Sequence, residues 1–150
     1  MLDDGLNLTT IELDEGEKIP DDLKKFDGMF CMGGPMDTYM EKEYPWLIEE
    51  KKRIKEFVVD LKKPYLGFCL GCQLLGEVVG GKVVKSNPAE IGIMDINFTE
   101  NKKEDTLFSK FPDNIKSLQW HSYEVQGIEK NPDITLLASS PVTKYQIFKY

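Results

Sequence analysis

Between residues 45 and 64 the apolar positions fall into helical register. Pro45 opens the segment WLIEEKKRIKEFVVDLKK, in which Leu47, Ile54, Val58 and Leu61 keep to one face, and Pro64 closes it. The stretches on either side have strand character. Asn7 to Leu13 (NLTTIEL) alternates apolar and polar residues ahead of the polar run DEGEKIPDD, which predicts a short strand and a loop. Phe26 to Met32 (FDGMFCM) predicts a buried strand that runs straight into Gly33, Gly34 and Pro35. PYLGFC predicts the next strand and CQLLGEVVG the helix after it, closed by Gly80 and Gly81. Further on, Lys82 to Lys85 and Ile91 to Phe98 predict two strands around a turn at SNPAE, and DTLFSKF a short helical turn before Pro112. SLQW, ITLLASS and YQIFKY are strand-like by their β-branched and aromatic content. Strands that alternate with helices early and pair as hairpins late predict an α/β fold, a mainly parallel sheet with an antiparallel extension.

With 150 residues, 41% of them hydrophobic, the chain has the size and core of one domain, and no repeat or linker divides residues 1–150. A formal charge of −7 argues against nucleic acid as a partner, because that binding depends on cations that neutralise phosphates. The basic run Lys51, Lys52, Arg53 and Lys55 reads as a solvated helix face with Glu49, Glu50 and Glu56 nearby. No stretch approaches the roughly 20 apolar residues of a membrane span, and the start, MLDDGLN, is acidic. Three cysteines make a poor disulfide framework and fit a reducing compartment, so a soluble, cytoplasmic protein is expected, with no membrane partner.

The chemistry is concentrated where an apolar strand meets a helix. Gly67-Phe68-Cys69-Leu70-Gly71 is a G-x-C-x-G sequence in the setting of a nucleophile elbow, a sharp turn that pushes the reactive side chain out at the carboxyl end of a sheet. Small flanking residues are a physical need there, since a Cβ at 67 or 71 would crowd the turn. The N-terminus of the following helix favours thiolate over thiol. Upstream, Gly33-Gly34-Pro35 forms a loop whose backbone N–H groups can approach a substrate, and with the amide of Leu70 it could stabilise the oxyanion formed when a thiolate attacks a carbonyl. Two other readings of Cys69 stand beside this one. Cys69-Leu70-Gly71-Cys72 is also a Cys-x-x-C pair of redox type, and Cys31, Cys69, Cys72 and the single histidine, His121, are the ligand types of a three-cysteine, one-histidine zinc site. The elbow needs neither metal nor organic cofactor, and leaves Cys72 as a packing residue.

FCMGGPMD, PYLGFCLGCQLLGEVVGGKVV, EIG, SLQWHSYEV and LLASSP together resemble a class I glutamine amidotransferase, close to the stand-alone proteins similar to the glutaminase domain of GMP synthase. The resemblance covers nearly the whole chain and implies a flavodoxin-like three-layer fold. It implies that Cys69 attacks the side-chain amide of glutamine, that ammonia leaves, and that water hydrolyses the glutamyl thioester. The amides of Gly34 and Leu70 would form the oxyanion hole. Gln73 would contact substrate glutamine, with Glu90 and Gly92 near the substrate loop. The implied partners are glutamine or a γ-glutamyl compound and a separate synthetase that accepts the ammonia.

The family completes its triad with a His-x-Glu motif beyond the segment that matches YQIFKY, and begins with a strand and helix ahead of LNLTTIELDEGEKIP. Set against that pattern, residues 1–150 are expected to form a partial domain without the first and last strands, inactive for want of the triad His and Glu. His121 is a poor substitute as base, because Glu124 lies three positions on rather than two and LLASSP follows the histidine instead of preceding it. A non-catalytic binding or regulatory module of the same fold is the alternative expectation, and a zinc-binding protein a more distant one.

Overall fold

The structure, a computed structural model, describes residues 5–150; residues 1–4, the acidic start noted above, lie outside the described part. It is an α/β fold, as expected, with two sheets. Strand β1 (Met29–Cys31) pairs parallel with β2 (Tyr65–Gly67), and between them the chain runs through helix α1 (Trp46–Lys55). Helix α2 (Leu70–Val78) follows β2 directly. The second sheet is antiparallel, ordered β4-β3-β5-β6, with β3 (Lys82–Phe98), β4 (Asn114–Gln126), β5 (Thr135–Ser139) and β6 (Ile147–Lys149). Among the described residues the antiparallel part is therefore the larger, four strands against two.

The apolar stripe of α1 goes where its period sends it. Leu47, Ile54 and Val58 are buried with Cys31, Leu70 and Leu74 in one cluster, which clamps α1 and α2 onto the β1–β2 pair. Leu61 is only half-buried, because the helix widens into a π turn over Glu56–Asp60 and the added residue turns Phe57 fully inward instead. A second cluster of Val79, Val125, Ile128 and Tyr145 joins the end of α2 to the antiparallel sheet. Helix and sheet come close because Gly76 has no side chain: a Cβ there would lie 2.6 Å from both γ-methyls of Val125.

Two expectations differ and a third holds. Residues 7–12 form no strand, and Leu13–Glu15 is a single 3-10 turn; the alternation of NLTTIEL finds no partner strand among the described residues. The two strands expected around SNPAE are one continuous strand, β3, whose register with β4 shifts between Lys85 and Glu90. Pro88 lacks the N–H that ladder pairing needs, so the signal read as a turn marks an irregularity inside a strand. DTLFSKF makes the expected short helical turn: the Ser109 N–H reaches the Asp105 carbonyl at 3.0 Å, and Asp105 Oδ1 accepts the N–H groups of Leu107 at 2.9 Å and Phe108 at 3.0 Å.

The basic run on α1 is also less solvated than expected. Arg53 is held by Glu49, Glu56 and Asp21, and Lys51 is turned onto the neighbouring loop. Glu50 is partly buried, and its Oε1 accepts a hydrogen bond from the Cys31 thiol at 3.0 Å.

Candidate active site

Cys69 caps the N-terminus of α2 with φ 49° and ψ −105°, a backbone that a non-glycine residue adopts only under constraint. Its side chain is exposed. The constraint comes from both flanks. A Cβ at Gly67 would stand 2.6 Å from the carbonyl carbon of Gly71 and 2.7 Å from the nitrogen of Cys72. A Cβ at Gly71 would run into the carbonyl of Cys31, with the carbonyl carbon 2.8 Å away. Gly67 therefore serves the turn itself, while Gly71 lets the helix start press against β1. The bend is held by Phe68 N–H to Cys31 O at 2.9 Å, Gly71 N–H to Phe68 O at 3.0 Å and Gln73 N–H to Cys69 O at 3.1 Å. Leu70 is the first residue of α2, where a backbone N–H has no partner within the helix and stays available as a donor.

The Gly33-Gly34 loop at the end of β1 is brought against this elbow. A Cβ at Gly33 would sit 3.2 Å from Cys69 Cβ and 3.9 Å from its Sγ, and one at Gly34 would sit 3.3 Å from Leu70 Cδ2. The two glycine-bearing segments, far apart in sequence, thus meet around one thiol. The other thiols differ in kind. Burial, reinforced by Glu50, pushes Cys31 up to about 12, and burial with the nearby Cys69 pushes Cys72 up to about 12. All three cysteines are free, and among the described residues no group of three or more His, Cys, Asp or Glu is placed to hold a metal ion.

The remaining expected residues gather around β4. Gln73 Nε2 donates to the carbonyl of Tyr123 at 3.2 Å, so its side chain is engaged by the protein. The same carbonyl lies 2.9 Å from His121 Nδ1, which must then carry the hydrogen. His121 Nε2 lies 3.2 Å from Glu90 Oε2 and 3.2 Å from Gln146 Nε2, while Gln146 donates to Glu90 Oε2 at 2.6 Å. Glu90 is only 2% exposed. Gly92, paired with Gln119 on β4, has φ +132°. Glu90 and His121 face one another across the β3–β4 ladder, and buried Glu90 joins the half-buried His121 and Gln146 in a cluster in which both imidazole nitrogens are occupied. No hydrogen bond reaches Cys69 Sγ among the described residues.

Sequence reasoning missed Tyr123, whose carbonyl collects Gln73 and His121 and whose hydroxyl meets that of Tyr39 at 3.0 Å. It missed Gln146 as well. A backbone acceptor leaves no mark in residue type, and Gln146 lies 56 positions from the carboxylate it binds.

Residues 2–146 match the family model for glutamine amidotransferase class-I. One subunit of a glutamine-hydrolysing GMP synthase from Sulfolobus acidocaldarius is 32% identical over 130 residues, 87% of this chain and 63% of that protein. A glutamine-hydrolysing GMP synthase from Staphylococcus aureus is 32% identical over 136 residues, covering 89% of this chain but 24% of its own much longer one. The crystal structure of a glutamine amidotransferase from Thermotoga maritima superposes with a TM-score of 0.88 at 27% identity, covering 99% of this chain and 62% of that one. The chain thus spans less than two thirds of the length of these three relatives. With the strand–elbow–helix geometry around Cys69, the matching model and these relatives, the chain belongs to the class I glutamine amidotransferase family.

Proposed function

We propose that this chain carries the glutamine-binding and nucleophilic part of a glutaminase, with Cys69 as the nucleophile. The observation that carries the reading is the backbone of Cys69: a non-glycine residue held at φ 49° at the start of a helix, exposed, between two glycines that tolerate no Cβ. In this reading the thiolate attacks the side-chain amide carbon of glutamine. The amides of Leu70 and Gly34 bind the oxyanion, the C–N bond breaks, ammonia leaves with a proton, and water later releases glutamate from the thioester. Gln73, Glu90 and Gly92 shape the substrate side through the Tyr123 carbonyl and the β3–β4 ladder. Glutamine is the substrate, with γ-glutamyl compounds as close chemical variants. The Sulfolobus relative is named as one subunit of its GMP synthase, which favours a separate synthetase as the ammonia acceptor.

His121 is engaged by Tyr123, Glu90 and Gln146, so these 150 residues are expected to trap substrate-like electrophiles at Cys69 faster than they turn over glutamine. The test is mass spectrometry after incubation with a chloromethyl ketone analogue of glutamine. One adduct on Cys69, saturable, competed by glutamine and lost in Cys69→Ser, is the expected result. Labelling that glutamine does not slow would overturn the reading.

A further inference from the structure

Both halves of the oxyanion hole proposed above depend on a distance that no covalent link sets, that between the Gly33-Gly34 loop and the start of α2. The structure contains a polar strut that spans it. Lys51 on α1 sends its Nζ to the carbonyl of Thr38 at 2.8 Å, to Glu41 Oε1 at 2.9 Å and to Glu77 Oε2 at 2.8 Å. The first two are hydrogen bonds and the third is an ion pair, so the ammonium is held from three sides. Glu77, on α2, uses its other oxygen to accept the Thr38 hydroxyl at 2.8 Å. Thr38 itself is 1% exposed and lies four residues after Gly34. The loop is therefore tied through Thr38 to the helix that presents Cys69 and Leu70, and Lys51 locks the tie from α1.

We infer that Lys51 and Glu77 are positioning residues that set the Gly34 loop against the Cys69–Leu70 helix start, and so govern oxyanion binding without touching substrate. The inference rests on the reading of Cys69 as nucleophile and of Gly34 and Leu70 as oxyanion donors. Its physical ground is that an ångström of misplacement in a catalytic constellation can cost up to about a hundredfold in rate, so a lost strut matters far more to a transition state than to binding. The side chains of Lys51 and Glu77 are only 20% and 25% exposed, so removing one partner also costs stability, and the geometric role has to be read on the folded chain.

Two reagents separate positioning from folding. In net terms the glutamine chloromethyl ketone and iodoacetamide both form a C–S bond to Cys69 and release halide. The ketone is also attacked at its carbonyl, giving an oxyanion that the hole must hold, whereas iodoacetamide reacts by direct displacement. In Lys51→Met and Glu77→Gln the limiting rate with the ketone should fall about tenfold, with half-saturation unchanged and the iodoacetamide rate unchanged. Lys51→Arg, which keeps the charge and the donors, should recover most of the loss. A Lys51→Met chain that keeps the wild-type limiting rate overturns the inference, as does equal slowing with both reagents. If the wild-type chain itself shows no saturation with the ketone, the assignment of Cys69 fails first and the positioning role falls with it.

Discussion

Replacing Gly71 with alanine sets two effects of known size against each other. Alanine is favoured over glycine inside a helix by about 1 kcal/mol, so on propensity alone the substitution in the first turn of α2 stabilises. Against this, the new Cβ would meet the backbone of β1, with the Cys31 carbonyl carbon at 2.8 Å, its Cβ at 2.9 Å and its carbonyl oxygen closer still. Overpacking of a filled site costs about 1–3 kcal/mol, and the upper part of that range applies because a strand backbone cannot rotate aside as a side chain does. The same Cys31 carbonyl accepts the Phe68 N–H that holds the elbow, at 2.9 Å, so relief by moving the strand also weakens the turn. The clash wins, and a net loss of about 2 kcal/mol follows; with a urea slope of about 2 kcal/mol per molar, the unfolding midpoint drops by about 1 M. Gly28→Ala is the control, since its Cβ would find only Pro64 O at an ordinary 3.7 Å; it should stay within about 0.5 kcal/mol of wild type. A Gly71→Ala chain with an unchanged or higher midpoint would show that β1 yields freely, and the account of the elbow as a packed, constrained turn would be wrong.

Leu74 is fully buried between the helices and the parallel pair. Leu74→Ala should cost about 3 kcal/mol, read as a lower urea midpoint with an unchanged slope. The thiols predict a second experiment. Cys31 and Cys72 are raised from near 9.0 to about 12 while Cys69 is exposed, so near pH 8 the folded chain should take up iodoacetamide only at Cys69, and the urea-unfolded chain at all three cysteines. Because folding raises these two values, their stabilisation is complete below pH 9 and is lost as pH rises toward 12, where the unfolded chain sheds protons that the folded one keeps. The urea midpoint should therefore decline across that interval, and less steeply in a Cys72→Ala chain.

The sequence by itself determined the elements whose cause is local. The stripe of Leu47, Ile54 and Val58 placed α1, and Gly67-x-Cys69-x-Gly71 placed the elbow, because periodicity and the steric demands of a tight turn act within a few residues. The alternation at 7–13 misled, since a strand exists only with a partner and nothing local reports one. Pro88 misled in the opposite direction, a turn signal absorbed as an irregularity within β3. Tertiary structure alone decided that Gly33 lies against Cys69, that Glu90, His121 and Gln146 close one hydrogen-bonded cluster, and that Lys51, read as a solvated lysine, binds Thr38 and Glu77. These are hydrogen bonds and contacts between residues 13 to 56 positions apart, and one of them, Lys51 to the Thr38 carbonyl, goes to a backbone group that every residue carries. Their partners are set by how the two sheets and two helices pack, which no local pattern encodes.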